Sequence, residues 1–325
     1  MPAFFRHHLL HVSAFALLMA LVPFMVTSRY YLNLFIFIGI HTLLTLGLNL
    51  LMGYAGQISL GHAAFFGLGA YTSGILTVTY HVSPWPAMGA AVLVTIMVAL
   101  VIGVPTLKLT GYYLGMATLG FGIIVNICFR ELSGITGGPS GLVGIPPLSL
   151  GGVVLDEPRY VYYLIWGVTL GALAVSLNIV DSRVGRALRA IHDSEVAARA
   201  SGVDTARLKI WVFVVSAAYA SLAGSLYAHF VTFISPSSFG FMFSVKLVTM
   251  VVVGGMASVW GAVFGAATLT ALPEVLAAFH DYEILIFGFI LMVVMIFLPQ
   301  GLTRGFLDLA ERWRFYRRGI PAAKV

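Results

Sequence analysis

Apolar runs of about twenty residues recur almost from end to end of this chain, at 30–52, 61–80, 86–105, 111–129, 160–180 and 210–234. A run of that length crosses the hydrocarbon core of a bilayer as a helix, a backbone that satisfies its own hydrogen bonds where water is absent. A soluble core of 325 residues cannot hide so much apolar surface: 60% of the residues are hydrophobic, only 9% are charged, and the mean hydropathy is +0.98. The expected class is therefore an all-α integral membrane protein. Its net charge of +6 points to cytoplasmic loops, not to nucleic acid, and no nucleic-acid partner is expected. The single cysteine, Cys128, lies in an apolar run and excludes an internal disulfide and a cysteine-built metal site.

The opening stretch FRHHLLHVSAFALLMALVPFMVTS has a basic start, a long apolar run and no clear small-x-small cleavage site, so it reads as a first span and not as a cleaved signal. The region from Phe243 to Leu272 is too long for one span and is interrupted by GGMASVWGAVFG. Treating that interruption as a turn between two spans, with a last span at 284–300, places Arg6, Lys108, six basic residues of 182–209 and six of the tail inside. Only Arg29, Arg130, Arg159 and Lys246 are left outside, the asymmetry that cytoplasmic loops show. The expectation is about ten transmembrane helices with both termini cytoplasmic.

Against that apolar background, RVGRALRAIHDSEVAARASGV (Arg183 to Val203) carries an unusual density of charge. On a helical wheel Val184, Leu188, Ile191 and Glu195 follow one another, with Ala187 and Ala198 alongside, and Arg186, Arg189, Asp193 and Arg199 lie elsewhere. Gly202 supplies a stop, and Asp204 a new cap ahead of Thr205. A short amphipathic helix in the cytoplasm has to bury its apolar stripe. Membrane lipid headgroups and a groove on a soluble partner are the two competing sites.

In GYAGQISLGHAAFFGLGAY, glycines at 53, 56, 61, 67 and 69 surround Gln57, Ser59 and His62. Small residues let membrane helices pack closely, and Gly111 to Gly115 and Gly261 to Gly265 show the same four-residue step. The alternative is a broken helix whose freed backbone faces a polar passage lined by Gln57, Ser59 and His62, with Gly254, Gly255 and Ser258 of GGMAS contributing from a similar junction. His41, His229 and Asn126 fall inside spans and read as neutral groups bonded to neighbouring helices. Span centres otherwise lack ionisable residues, which argues against a carrier coupled to protons or ions. The segment 130–159, rich in Gly and Pro with Glu131, Asp156 and Glu157, reads as a flexible outside connector. None of the four lysines sits in a phosphate-binding loop, and there is no metal-spaced cluster or nucleophile elbow, so neither enzyme activity nor a cofactor is expected.

LNLLMGYAGQISLGHAAFFGLGAYTSGIL (Leu48 to Leu76), TGGPSGLVGIP (Thr136 to Pro146), the charged loop and VVVGGMASVWGAVFGA (Val251 to Ala266) together resemble the permease subunits of branched-chain amino acid ABC importers, the LivM type. The resemblance implies an ABC importer permease fold, with 1–325 as a single transmembrane permease domain, 182–209 as its cytoplasmic coupling loop and 301–325 as a basic cytoplasmic tail. It makes Val184, Gly185, Arg186, Leu188, Arg189, Ile191, Glu195, Ala197, Ala198 and Gly202 the ATPase-coupling residues, the apolar stripe giving docking area and the arginines orientation. Glu195, Ala197, Ala198 and Gly202 are similar to the glutamate-alanine-alanine-glycine pattern of importer permeases, with Val196 in place of the first alanine.

The implied partners are a second homologous permease, two cytoplasmic ATPase subunits and a periplasmic or lipid-anchored substrate-binding protein, in a bacterial inner membrane. The segment 130–159 would then be a dock for that binding protein. Leucine, isoleucine and valine are the favoured cargo, although related permeases move urea, short amides or other amino acids. A lone secondary carrier or channel, and a membrane scaffold without a pathway, are the rival readings.

Overall fold

The computed structural model describes residues 3–276 except 27, 107–108, 110, 151–152 and 155–156, together with 288–289, 292, 296 and 301. Most of the expected last span at 284–300, all of the tail beyond 301, Lys108 and Asp156 thus lie outside the described residues, and with them the placement of the C-terminus. Helices α1 (Ala3–Met25) and α2 (Arg29–Asn49) come first, and α2 runs into a π-helical turn, Leu50–Tyr54. Then follow α3 (His62–Val78), α4 (Pro84–Thr106), α5 (Tyr112–Glu131) and the short α6 (Ser133–Thr136). Strands β1 (Leu142–Val143), β2 (Ser149–Leu150) and β3 (Val153–Val154) lead to α7 (Pro158–Asp181), α8 (Arg183–Asp193), α9 (Glu195–Ala200) and α10 (Thr205–Val231). The described chain closes with β4 (Phe233–Ile234), a 3-10 turn Pro236–Phe239, α11 (Phe241–Gly254) and α12 (Val259–Leu276).

Six of these helices are long and apolar enough to cross a membrane: Arg29–Tyr54, α4, α5, α7, α10 and α12. Helices α3 and α11, with 17 and 14 residues, reach only about 25 and 21 Å at 1.5 Å per residue. The GGMAS break is a turn between α11 and α12, as read from the sequence.

Helix α2 is the centre of the bundle. Its most apolar stretch is 83% buried, against 33% for α4 and 28% for α5, whose open faces suit lipid or a second subunit. Cys128 stands on the open side of α5. Because lipid is as apolar as leucine, association inside a membrane relies on close backbone approach and on polar bonds between helices. Both occur. A Cβ on Gly69 would collide with the Ser221 backbone, and one on Gly224 with the Phe66 carbonyl, so α3 and α10 touch backbone to backbone. Trp166 Nε1 donates to Phe35 O at 3.1 Å and Thr169 Oγ1 to Gly39 O at 3.1 Å, joining α7 to α2. His41 Nδ1 meets Thr270 Oγ1 at 2.8 Å, and His229 Nε2 meets Ser73 Oγ at 2.7 Å. Asn126 Nδ2 donates to Pro236 O at 2.7 Å. His41 and His229 thus make the bonds to neighbouring helices that the sequence suggested, whereas Asn126 bonds to the 3-10 turn ahead of α11.

The described part of 130–159 is not the flexible connector expected. Strand β1 pairs antiparallel with β4 (Leu142 opposite Ile234), β2 pairs with β3, and Trp85 Nε1 holds Ser149 O at 2.7 Å. Backbone groups that leave the membrane satisfy one another in a small cap across this end of the bundle.

Candidate functional site

Ser182 ends α7 and begins α8: its Oγ accepts from the Val184 and Gly185 N–H groups at 3.1 and 3.4 Å. Gly185, Leu188 and Ile191 are buried and Val184 packs against the core, so the apolar stripe is real. It faces inward. With Leu188 fully buried and Ile191 4% exposed, the stripe packs on the protein's own helices and does not supply docking area for a soluble partner, contrary to the expectation. Arg189 Nη2 donates to Val180 O at 2.6 Å and Arg186 Nη1 to Asp181 O at 3.2 Å, so both arginines close carbonyls at the end of α7.

The charged run is also two helices and not one. Ser194, extended at φ −160°, interrupts it and caps α9 by accepting the Ala197 N–H at 3.3 Å. Gly202 takes φ +84°, and Asp204 Oδ1 accepts the Arg207 N–H at 3.1 Å, the stop and cap foreseen. The outward face of this unit carries Arg183, Arg186, Ala190, Asp193, Val196 and Ala197, with Val196 81% exposed. Ala198 is the buried residue of α9.

Glu195 is not part of a stripe. Its carboxylate pairs with Lys209, which is 2% exposed at the foot of α10, and also receives Arg199 Nη2 at 3.0 Å and Thr205 Oγ1 at 3.4 Å. Burial pushes the Glu195 carboxyl up, but Lys209 and Arg199 outweigh it and hold the carboxyl below its usual value.

The GYAGQISLGH stretch is a broken helix. After the π turn the chain runs irregularly over 55–61 before α3 begins. Its backbone is satisfied by neighbours, as irregular chain at membrane depth requires. The Gln57 N–H reaches Leu51 O at 3.0 Å, Leu60 N–H reaches Thr118 Oγ1 of α5 at 3.0 Å, and Ala63 N–H reaches Ser244 Oγ of α11 at 3.0 Å. Side chains alternate along the break. Gln57, Ser59 and His62 turn into the protein, whereas Ile58 is 42% exposed and Leu60 is half-buried. The open side is thus largely apolar: Leu60, Ala63, Leu119, Ile123 and Phe241 line a recess there, and its polar member, Ser244, is buried with its Oγ bonded to the Ala63 N–H. Behind it, His62 Nε2 meets Ser216 Oγ at 2.8 Å and Gln57 Nε2 donates to Ala55 O at 3.0 Å. Gln57 Oε1, Ser59 Oγ and His62 Nδ1 are buried without a partner among the described residues.

At the second junction Ser258 Oγ caps α12 by accepting the Gly261 N–H at 3.1 Å. Any Cβ on Gly254 or Gly265 would collide with the facing backbone, so here the glycines serve close packing of α11 on α12. Of the other predicted step, Gly115 touches Ile58 and Gly111 faces open space.

The structure brings coupling and pathway candidates to one end of the bundle. A Cβ on Gly56 would sit 3.0 Å from His192 Nδ1 of α8, and the Arg189 guanidinium stands 5.9 Å from the Tyr54 ring centre. Asn49 Nδ2 donates to Ser258 O at 2.6 Å, and the Ala257 N–H donates to Asn49 Oδ1 at 3.1 Å. Sequence reasoning missed Asn49, Thr118, Lys209 and Ser244. The signal for Asn49 was present, a carboxamide inside an apolar run.

Residues 30–299 match the family described as branched-chain amino acid transport system / permease component. The chain is 34% identical over 303 residues to the high-affinity branched-chain amino acid transport system permease protein LivM of Salmonella typhimurium, spanning 86% of this chain and 71% of that protein. It is 33% identical to LivM of Escherichia coli over the same shares. LivH of Salmonella typhimurium, a permease protein of the same named system, is 26% identical over 81% of this chain and 90% of its own length. No solved structure matches.

Proposed function

This chain belongs to the family of branched-chain amino acid transport permeases, and from that premise we propose that it is one of two homologous membrane subunits of an ATP-driven importer. A substrate-binding protein delivers a branched-chain amino acid to the outer cap, and two ATPase subunits act on the inner side of a bacterial inner membrane. The observation that carries this reading is the α8–α9 unit: anchored from beneath by Leu188 and Ile191, it presents a charged outer face with one apolar knob, Val196. A buried stripe makes the unit a lever and not a loose tether, because a push on its outer face is passed directly to the helices under it.

The lever lies on the helix break through Gly56 and Tyr54. The pathway wall is the open side of that break, where Ile58, Leu60, Ile123 and Phe241 offer an apolar surface matched to aliphatic side chains. Gln57, Ser59 and His62 support it from behind, and Gly254, Gly255 and Ser258 form its inner end. Coupling therefore uses Arg186, Ala197 and Val196 for contact, whereas Val184, Gly185, Leu188 and Ile191 transmit the motion.

The test is Arg186→Glu with Val196→Asp, two changes on exposed positions that leave the buried stripe intact. In proteoliposomes holding all subunits, uptake and substrate-stimulated ATP hydrolysis are lost while the two permeases still purify together. Full uptake by this variant, or uptake by the purified chain alone under an ion gradient, overturns the reading.

A further inference from the structure

We infer that Asn49 is a positioning residue, a latch that makes the turn between α11 and α12 move with the coupling helix α8; this rests on the lever role proposed above.

Asn49 closes α2, is 1% exposed, and spends both ends of its carboxamide on the backbone of a segment more than two hundred residues away. An asparagine serving only to fill space in an apolar helix has cheaper replacements, since an aliphatic side chain packs there without burying a polar group. What it grips is a backbone that needs holding. Ala257 has φ +57°, a left-handed conformation that a residue with a Cβ keeps only when its surroundings impose it. The two bonds from Asn49 are that imposition. Gly53, one turn further on, makes room for it: a Cβ there would collide with Asn49 Oδ1 and with the Ala257 nitrogen. Gly301 packs against Gly254 and Gly255 at the start of the same turn.

The same short piece of chain is held by α8. Between Asn49 and Gly56 lies the π turn Leu50–Tyr54, a wide and deformable form of helix. Its far end carries the contacts of Tyr54 with Arg189 and of Gly56 with His192. One element is thus gripped at its end by the coupling helix and at its start by the α11–α12 turn. Displacing α8 displaces the π turn, and through Asn49 it resets the angle between α11 and α12.

The experiment uses the complete transporter in proteoliposomes, with Cys128→Ser as background and spin labels on Asp193→Cys of α8 and Met256→Cys, both exposed positions. A third label on Val143→Cys in the outer cap gives a fixed reference. Between the nucleotide-free and the ADP–vanadate-trapped states, the Asp193 and Met256 labels move together relative to the cap. In Asn49→Ala, which removes both bonds, the Asp193 label still moves, the Met256 label no longer follows, and amino acid taken up per ATP hydrolysed falls by about tenfold or more, tenfold being the factor expected for losing a single buried hydrogen bond. Asn49→Asp, which keeps the shape but turns the donor facing Ser258 O into an acceptor, gives the same uncoupling without a cavity. Preserved co-movement, or unchanged uptake per ATP, in both variants overturns the latch while the lever stands. An Asp193 label that ignores nucleotide in the wild-type protein overturns both.

Discussion

Changing Glu195 to Gln removes the counter-charge of a lysine that has nowhere else to go. Lys209 is 2% exposed, and breaking a buried pair by deleting one partner costs about 3–5 kcal/mol. The Glu195 side chain retains 24% exposure, which places the cost near the lower end, about 3 kcal/mol. Helix α9 has six residues, and the remaining support is the burial of Ala198, about 1 kcal/mol, the Ser194 cap, about 1 kcal/mol, and the long bond from Arg199 Nη2 to Thr205 Oγ1 at 3.4 Å, about 0.5 kcal/mol. The loss exceeds what is left. In Glu195→Gln, α9 therefore detaches from the foot of α10 while the helix bundle, which does not depend on it, stays folded. Lys209→Met removes the buried charge itself and leaves Glu195 with Arg199 and solvent, at about 1 kcal/mol.

The ranking is the sharp part: Glu195→Gln is worse than Lys209→Met, and adding Lys209→Met to Glu195→Gln restores most of the loss. Hydrogen exchange over 195–209 in the assembled transporter reads this directly, with uptake as the second measure. If Lys209→Met proved the more damaging change, or if exchange in Glu195→Gln matched wild type, the reasoning from buried charge would fail.

The same pair sets a pH dependence. The Glu195 carboxyl is held below its usual value in the folded protein, so its contribution is complete above the unfolded carboxylate pKa and is lost as pH falls through the depressed folded value. Exchange protection of α9 is accordingly flat from about pH 7 to about pH 5 and declines only below the ordinary carboxylate range; a decline already at neutral pH contradicts the pairing. Ser244→Ala strands the Ala63 N–H in the interior at about 1–3 kcal/mol, seen as a lowered melting temperature in detergent, whereas Ser244→Thr retains the bond. Gly265→Ala drives a methyl into the Met250 carbonyl and lowers stability by about 1–3 kcal/mol, whereas Gly111→Ala, facing open space, is constrained only by its φ of +58°.

Long apolar runs were legible because lipid imposes a length and a composition on each span: α2, α4, α5, α7 and α10 stand where the runs stand. So were the Asp204 cap and the GGMAS turn, whose signals are local. The direction of the α8 stripe was not, since amphipathicity says that a face is buried and not against what. The break at Ser194 is not legible on a helical wheel, which does not register a capping residue in mid-run. Nor does the sequence say which way Gln57 and Ser59 point along the irregular stretch, where the alternation turns both inward and Ile58 outward. Lys209 looked like one more inside charge because its partner lies fourteen residues back across a helix break.

Helices α3 and α11 begin beside each other, where Ala63 meets Ser244, and run apart: the far end of α3 lies under the β1 cap at Gly74, and that of α11 at the Asn49 turn. A rod that runs the whole length of the bundle must tilt as one piece. Two stubs that meet midway need not: α3 and α11 touch through one hydrogen bond and the stacked rings of Phe66 and Phe243, so the stub that ends at the Asn49 turn is free to tilt about that junction without dragging the stub under the β1 cap.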